Sequence, residues 1–266
     1  IYGNGISGCL LNFIENYLSG RHQRVVLNGK ESSWMSLQAG VPQGSVLGPL
    51  PFLVYINDLT DNISSDMRLF ADDSSLFTRV EGINITQEKL ITDLQTITAW
   101  ATQWKMIFNP DLSKQAIEVI FSCKKNKPDH PNLTFNGIPI ARKSHSKHLG
   151  VYLDNRLNFC KHIKEKVLKA LKGLSLLKFL SKYVDRNVLN LSYKMYIRPH
   201  LDYGDIIYHN QRTDLMDLIE RVQYKASLIV SNCWKGTSRD KLYEELGWES
   251  LYDRRDIRRL TVIYII

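Results

Sequence analysis

The chain has 266 residues, of which 44% are hydrophobic and 23% are charged, as is ordinary for a globular protein with one large core or two moderate ones. Lysine and arginine number 35 against 27 aspartates and glutamates, and the net charge is +8. No apolar run approaches the roughly 20 residues of a membrane span, so we expect no membrane partner. The four cysteines have none of the short spacings of a zinc site, and we expect reduced, intracellular thiols.

Up to about residue 155, predicted helices and strands alternate along the chain. Hydrophobic periodicity predicts helices over 8–18, 49–58 and 86–104. Turn signals and apolar runs predict strands at 24–27, 34–37, 118–121, 133–135 and 148–153, with a further hairpin centred on 70–73. This alternation indicates an α+β domain in which a mixed sheet carries helices on one face.

Beyond residue 155 the pattern is almost entirely helical. The predicted helices lie near 160–181, 186–197, 212–231 and 238–246. The firmest boundary is expected at Pro199, because a proline disfavours helical backbone in the residue before it. In the first of these helices the apolar residues form one stripe, and three lysines lie opposite. The stripe is Ile163, Val167, Ala170, Leu174 and Leu177, and the lysines are Lys161, Lys169 and Lys172.

The positive charge is concentrated in this helical part. Between residues 161 and 200, ten lysines and arginines face only two carboxylates, so this segment alone carries a charge of +8. A basic block of this kind is typical of a surface that contacts a phosphate backbone. The alternative is a solvated helix face, which is common for lysine-rich helices. A second basic group at 254–259 is interrupted by aspartates, and we expect it to lie on a solvated helix.

Two adjacent carboxylates, Asp72 and Asp73, occupy the turn of the hairpin predicted at residues 70–73. They repel each other, and no lysine or arginine stands beside them in the sequence to neutralise them. Hard divalent cations such as Mg²⁺ prefer carboxylate oxygens, and nucleotidyl transferases hold two such ions roughly 4 Å apart. An ordinary acidic turn is the alternative, because aspartate is common in turns.

A loop with two clusters of helix-breaking residues precedes this hairpin. It reads GVPQGSVLGP over residues 40–49, and an apolar helix follows it. Its small residues would let a flat base and its sugar approach the backbone closely.

In order and spacing, these two motifs resemble the reverse transcriptase of non-LTR (LINE-type) retrotransposons, and most of all the jockey group. The resemblance covers essentially the whole chain, through residues 147–154, 198–205, 236–238 and 242–246. It implies the palm of a right-hand polymerase over 1–155, with the fingers and the first catalytic strand missing. An all-α thumb over 156–200 and a truncated C-terminal helical region over 201–266 would follow.

The resemblance also implies roles for individual residues. Asp72 and Asp73 would be catalytic and bind metal, and Lys114 would act as a general acid or bind phosphate. A solvated loop lysine is an equal alternative for Lys114. The nucleotide-binding residues would be Pro42, Gln43, Gly44, Phe70 and Ala71. Leu149 and Gly150 would form the primer grip, and the lysines in contact with nucleic acid would be Lys161, Lys164, Lys169 and Lys172.

The implied activity is the polymerisation of DNA on an RNA template, with Mg²⁺ as cofactor and deoxynucleoside triphosphates as substrates. A third carboxylate of the two-ion site would lie upstream of residue 1, so we expect this chain alone to be inactive. The implied partners are an RNA template and a DNA primer, and the implied locations are a cytoplasmic ribonucleoprotein and the nucleus.

Two other classes of protein compete with the polymerase. One is a non-catalytic module of the same fold, decayed or repurposed, that still binds nucleic acid. The other is an intron-encoded maturase, which Ser74-Ser75 and the Gly236-Thr237-Ser238 segment disfavour. His200, Asp202 and Asp205 could suggest a small metal cluster, but the run that contains them matches a family segment without a metal role.

Overall fold

A computed structural model describes residues 5–109, 116–126, 130–208 and 212–265 of the chain. The fold divides into two compact units. The first comprises Ile1–Ala116 and His130–Ile140, and the second comprises Ile117–Asp129 and Ala141–Ile266. Within the described ranges, no helix is both long and apolar enough to cross a membrane.

The helices of the described ranges are α1 (Gly8–Leu18), α2 (Pro49–Ile56), α3 (Ile83–Gln103), α4 (Cys160–Leu180), α5 (Arg186–Ser192), α6 (Arg198–Asp202), α7 (Asp205–Tyr208), α8 (Thr213–Val230), α9 (Arg239–Leu246) and α10 (Leu251–Ile265). A 3₁₀ turn over Asn57–Thr60 extends α2, and a π-helical turn over Tyr193–Ile197 joins α5 to α6. The strands are β1 (His22–Gln23), β2 (Val26–Leu27), β3 (Lys30–Glu31), β4 (Met35–Ser36), β5 (Asp66–Phe70), β6 (Asp73–Phe77), β7 (Ile117–Glu118), β8 (Thr134–Phe135), β9 (Ile138–Pro139), β10 (Ala141–Arg142), β11 (His145–His148) and β12 (Val151–Asp154).

The strands pair two by two. The pairs β1–β4, β2–β3, β5–β6, β8–β9 and β11–β12 are antiparallel, and the pair β7–β10 is parallel. The sequence predicted one mixed sheet, whereas the described residues contain no sheet of more than two strands. Most pairs close through a short connection of their own, so their hydrogen bonds are satisfied locally.

The core of the first unit joins α2, the hairpin β5–β6, α3 and the strand β8. Its buried side chains are Ile56, Leu59, Met67, Ile97 and Phe135. The indole nitrogen of Trp100 on α3 donates to the Asp58 carboxylate at 2.8 Å, which ties α3 to the end of α2. The predicted helix over 8–18 is confirmed as α1, and the long helix predicted from residue 86 begins three residues earlier.

The core of the second unit is built around α4 and α8. All five residues of the predicted stripe on α4 are buried. They pack with buried residues of α8, among them Ile219, Val222 and Ala226. The periodicity that predicted this helix face is therefore confirmed, because a helix of 21 residues presents the same face throughout its length.

The expected helix boundary at Pro199 is wrong. The helix continues from α5 through the π-helical turn into α6, and Pro199 lies at the start of α6. A proline inside a regular α-helix removes a hydrogen bond and clashes with the preceding turn. The π-helical turn shifts the hydrogen-bond register just before Pro199, so the missing N–H is tolerated.

Several predicted strands also differ from the structure. The strands expected at 24–27 and 34–37 shorten to β2 and β4, which pair with β3 and β1 and not with each other. Two more differences lie later in the chain. The strand expected at 148–153 is interrupted at Leu149 and Gly150, which form the turn between β11 and β12. The strand expected at 118–121 shortens to β7, of two residues. Both errors arise because an apolar run predicts extended backbone without showing where the chain turns.

Candidate functional site

The hairpin β5–β6 carries the Asp72-Asp73 pair at its tip. Its two strands pair along their full length, with Phe70 opposite Asp73, which leaves Ala71 and Asp72 as a two-residue turn. Ala71 has a φ of +50°, in the left-handed region that costs a non-glycine residue roughly 1 kcal/mol. Strained backbone of this kind is concentrated at functional sites, so the turn is the first candidate for one.

Both carboxylates of the pair are exposed, and among the described residues neither has a hydrogen-bond or ion-pair partner. Their oxygens are therefore free to coordinate a hard cation such as Mg²⁺. Two carboxylates fit part of such a site. In the described ranges no group of three or more His, Cys, Asp or Glu side chains could hold a metal ion. An ion bound by this pair would need further oxygen ligands from a substrate or from water.

The loop before α2 closes on itself around Ser45. The Ser45 hydroxyl donates to the Pro42 carbonyl oxygen at 2.7 Å and accepts from the Gly48 amide at 3.0 Å. Gly48 is buried, and a Cβ at this position would lie 2.9 Å from both the Pro42 carbonyl oxygen and the Ser45 hydroxyl. No larger residue fits there without moving the backbone. Gln43 and Gly44 are left exposed.

The end of α1 holds this loop in place. The Tyr17 hydroxyl is hydrogen-bonded to the Ser45 hydroxyl. Arg21 donates from Nε to the Leu18 carbonyl at 2.8 Å, and its guanidinium also donates to the Gly40 carbonyl. The loop is therefore held at its start and in its middle by residues from one short segment.

The loop leads into the core that supports the hairpin. Phe52 and Ile56 of α2 belong to the same cluster as Met67, Leu69 and Leu76 of the hairpin. The nucleotide-binding residues predicted on the loop and on the hairpin therefore lie in one packed unit.

Asp93 on α3 anchors the start of the hairpin, and the sequence predicted no role for it. Its carboxylate accepts from the Ser64 amide at 2.8 Å, the Ser64 hydroxyl at 2.9 Å and the Ser65 amide at 3.0 Å. Burial by itself would raise the pKa of Asp93, but the hydrogen bonds from Ser65 and Ser64 outweigh it and lower the pKa. An aspartate directly beside the apolar stripe of α3 was the signal that could have identified it.

In the second unit, the hairpin β11–β12 carries the predicted primer grip. Leu149 and Gly150 form its two-residue turn, with φ values of +45° and +81°. These values are typical of a type I′ turn, which favours asparagine, aspartate or glycine at both positions. A Cβ on Gly150 would lie 3.1 Å from both a ring carbon and the hydroxyl of Tyr203. The turn is therefore packed closely against Tyr203, for which the sequence predicted no role.

The four predicted nucleic-acid lysines divide into two kinds. Lys164, Lys169 and Lys172 are exposed on α4. Lys161 is half-buried: its ammonium contacts the His145 imidazole and lies 5.0 Å from the centre of the Tyr152 ring. Lys161 thus packs against the hairpin, while the other three present their charge to solvent.

Two further lysines, which the sequence did not single out, lie at this hairpin: Lys147 on β11 and Lys166 on α4. The Lys147 ammonium is 5.9 Å from the centre of the Tyr152 ring, and the Lys166 ammonium is 4.2 Å from the centre of the Tyr203 ring. Burial, followed by the charges of Lys169 and Lys147, lowers the pKa of Lys166. Their positions could not be read from helical periodicity, because the hairpin decides which lysines meet aromatic rings.

The arginines of α10 are not solvated as expected. Arg255 is only 1% exposed, and Arg254 and Arg258 are half-buried. Arg254 Nε lies 3.2 Å from Asp202 Oδ2, and Arg258 Nη1 lies 3.0 Å from Asp205 Oδ2. The prediction of a solvated basic face is therefore wrong, because buried carboxylates on α6 and α7 require positive partners. These ion pairs also account for two of the three residues that could have suggested a metal cluster.

Lys114, which was predicted to act as a general acid or to bind phosphate, lies outside the described residues. The remaining predicted residues divide between the two units. The Asp72-Asp73 pair and the loop belong to the first unit, and the Leu149-Gly150 turn and the lysines belong to the second.

Comparison with known proteins identifies the family. The sequence profile of the family described as reverse transcriptase (RNA-dependent DNA polymerase) matches residues 6–153. The match includes both the loop and the Asp72-Asp73 pair. No solved structure is significantly similar to the chain.

Several curated proteins are similar over most of the chain. The probable RNA-directed DNA polymerase from transposon X-element of Drosophila melanogaster is 28% identical over 249 residues, which cover 90% of this chain and 27% of that protein. The RNA-directed DNA polymerase from mobile element jockey of the same organism is 27% identical, over 85% of this chain and 26% of that protein. The Pol polyprotein from the type-1 retrotransposable element R1 of Bradysia coprophila is 24% identical, over 82% and 22%.

The chain thus spans about a quarter of the length of the curated relatives that it matches. The predicted resemblance to non-LTR retrotransposon enzymes is confirmed by these relatives. Because the family profile covers more than half of its residues, the chain belongs to the reverse transcriptase (RNA-dependent DNA polymerase) family.

Proposed function

We propose that this chain is part of an RNA-directed DNA polymerase that extends a DNA primer along an RNA template. The observation that carries the proposal is the pair of exposed carboxylates at a strained turn, for which the described part of the chain offers no hydrogen-bond or ion-pair partner. The shared core of α2 and the hairpin supports it, because this core joins the turn to the loop expected beneath the nucleotide.

Asp72 and Asp73 would hold Mg²⁺ in this scheme. The bound metal would make the primer hydroxyl more acidic and would neutralise negative charge on the leaving pyrophosphate. The chain's own residues orient the reactants. Gln43 and Gly44, exposed on a loop that Gly48 keeps compact, are suited to lie against the nucleotide.

The remaining roles follow the order of the chain. Residues 1–155 would serve as the palm, 156–200 as the thumb and 201–266 as a C-terminal helical region. Leu149-Gly150 would hold the primer end, and Lys164, Lys169 and Lys172 would contact phosphates, since they are exposed on one lysine-rich helix. The role of Lys114 stays a prediction.

The change Asp72→Asn in the full-length protein tests the catalytic proposal. We expect Mg²⁺-dependent extension of a DNA primer on an RNA template to fall by roughly a thousandfold or more, since a metal ligand is lost. The unfolding midpoint should stay unchanged or rise slightly, because the change removes repulsion within the carboxylate pair. Chelation of the metal should abolish extension by the unchanged protein.

Asp61→Asn is the matched control, since Asp61 is an exposed aspartate of the same unit. It should extend primers at the unchanged rate. Full extension by Asp72→Asn would disprove the metal-binding role, and a large drop in its unfolding midpoint would show that the carboxylate pair is structural.

A non-catalytic nucleic-acid-binding module is the second candidate. Its support is that the exposed lysines of α4 lie in the second unit, whereas the Asp72-Asp73 pair lies in the first. If the protein is such a module, the unchanged protein and Asp72→Asn should bind a primer–template duplex equally tightly. Neither should extend the primer, with or without Mg²⁺.

A further inference from the structure

The Leu149-Gly150 turn lacks the residue type that would normally stabilise it. Leu149 has a φ of +45°, and its apolar side chain cannot form the local hydrogen bonds by which asparagine or aspartate offsets that conformation. This conformation is strained for leucine, so contacts from elsewhere in the fold must hold the turn.

Tyr203 supplies those contacts. Its hydroxyl donates to the Leu149 carbonyl oxygen, and its ring lies directly beside Gly150. Lys166 belongs to α4, and its ammonium lies 4.2 Å from the centre of the same ring. A tyrosine that is 47% exposed is thereby held by a hydrogen bond, a close backbone approach and a cation–π contact.

The backbone on either side of Tyr203 is itself anchored. The Tyr203 amide donates to the Pro199 carbonyl at 3.1 Å, which fixes the residue at the end of α6. The preceding residue, Asp202, pairs with Arg254 at 3.2 Å, and Asp205 pairs with Arg258 at 3.0 Å. Both ion pairs join residues 198–208, the Tyr203 segment, to α10.

A second contact holds the strand that follows the turn. The amide of Tyr152, two residues after Gly150, donates to Nδ1 of His162 at 3.3 Å. His162 is fully buried on α4. The turn and the strand that follows it are therefore fixed by two different elements of one unit.

We propose that Tyr203 is a positioning residue that fixes the Leu149 carbonyl and the Leu149-Gly150 turn for a primer 3′ end. This inference rests on the proposed function, in which the turn is the primer grip. Lys166 and the ion pairs of Asp202 and Asp205 act through Tyr203, by holding its ring and its backbone. A primer end that is displaced by about 1 Å reacts much more slowly although the duplex remains bound.

The test compares Tyr203→Phe with Tyr208→Phe in the full-length protein. Tyr203→Phe removes only the hydroxyl that bonds Leu149. Tyr208→Phe is the matched control, because its hydroxyl donates at 2.8 Å to the Leu201 carbonyl in the same segment. We expect Tyr203→Phe to slow single-nucleotide addition to a bound primer about tenfold, with the Kd for primer–template changed less than about twofold. Tyr208→Phe should keep the unchanged rate, corrected for any loss of folded protein.

Amide hydrogen exchange supplies a readout that does not depend on activity. In Tyr203→Phe the amides of residues 149–152 should exchange about fivefold faster than in the unchanged protein, because one hydrogen bond to the turn is lost. In Tyr208→Phe they should not change. Equal effects of the two variants, or unchanged exchange in Tyr203→Phe, would overturn the positioning role. An unchanged protein that extends no primer would overturn the proposed function instead, and the exchange result would still decide whether Tyr203 holds the turn.

Discussion

Three aspartates of this chain carry the same side chain in three different electrostatic settings. Asp72 is exposed and has no partner among the residues that the structure describes. Asp93 is buried and accepts three hydrogen bonds, and Asp202 is buried beside arginines. The sequence indicated the first, because a neighbouring carboxylate made it unusual. It could not indicate the other two, because the donors to Asp93 lie 28 or 29 residues away along the chain and Arg254, which lies closer to Asp202 than the nearby Arg198 does, is 52 residues away.

The buried histidine of α4 should give the second unit a measurable dependence on pH. Burial, followed by the charge of Lys166, lowers the pKa of His162 below its ordinary value of 6.5. Below pH 6.5 the unfolded chain takes up a proton that the folded chain resists. The free energy of unfolding should therefore have its full value above pH 6.5. It should decrease on acidification, by at most about 1.4 kcal/mol per pH unit.

Denaturant titrations between pH 5 and 8 measure this decrease. His162→Gln should remove that part of the pH dependence, even if the variant is less stable overall. His200→Gln should remove a further part of the decrease, because burial, followed by the charges of Lys166 and Lys169, also lowers the pKa of His200. His22→Gln is the control, because His22 is exposed in the first unit and its loss should leave the decrease in the second unit in place. A pH profile that is the same in His162→Gln and in the unchanged chain would contradict the assignment.

Elements were predictable where their signal was local. The buried stripe of α4 follows from hydrophobic periodicity, and the turns at Asn28-Gly29 and Asn136-Gly137 follow from their turn residues. The strand that pairs across Asn28-Gly29 was not predictable in the same way, because β3 takes the place expected for the strand at 34–37. The Leu149-Gly150 turn did not interrupt the predicted strand, because leucine is not a turn residue and Tyr203 stabilises the turn from 54 residues away. The π-helical turn before Pro199 was likewise invisible, since no residue type marks it.

Replacing Gly150 with alanine should destabilise the second unit. The added Cβ would lie 3.1 Å from Tyr203, at a φ of +81° that alanine disfavours. We expect a loss of roughly 2 kcal/mol in the free energy of unfolding, the sum of backbone strain and overpacking. Gly247→Ala is the control, because Gly247 has a similar positive φ of +60° in the same unit and no atom within 4 Å of the added Cβ. A loss no larger than that of Gly247→Ala would show that the contact with Tyr203 adds nothing.

At the scale of the whole molecule, charge is separated along the chain. The segment from 161 to 200 alone carries +8, which equals the net charge of all 266 residues. This separation was predictable from the sequence, because it depends only on composition. The distribution of positive charge over the surface could not be predicted. Some lysines pack on aromatic rings, and arginines of α10 pair with buried carboxylates.

Binding of an RNA–DNA duplex should therefore weaken steeply with salt. Changing Lys164, Lys169 and Lys172 together to glutamine should reduce the slope of log Kd against log salt concentration by about two to three. The control removes the same charge from exposed lysines elsewhere in the second unit, namely Lys225, Lys235 and Lys241. Equal changes of slope in the two triple variants would show that net charge, and not the α4 surface, governs binding.

The ion pairs between α10 and the Tyr203 segment define how far a self-sufficient second unit must extend. Asp205 is 1% exposed, and burial raises its pKa although Arg258 opposes that rise. A shortened chain that ended before Arg254 would leave Asp202 and Asp205 buried without these arginines, which is among the most costly changes a core can undergo. A form of the second unit that folds stably should therefore include Arg258, which lies more than 100 residues after the last residue that the family profile matches.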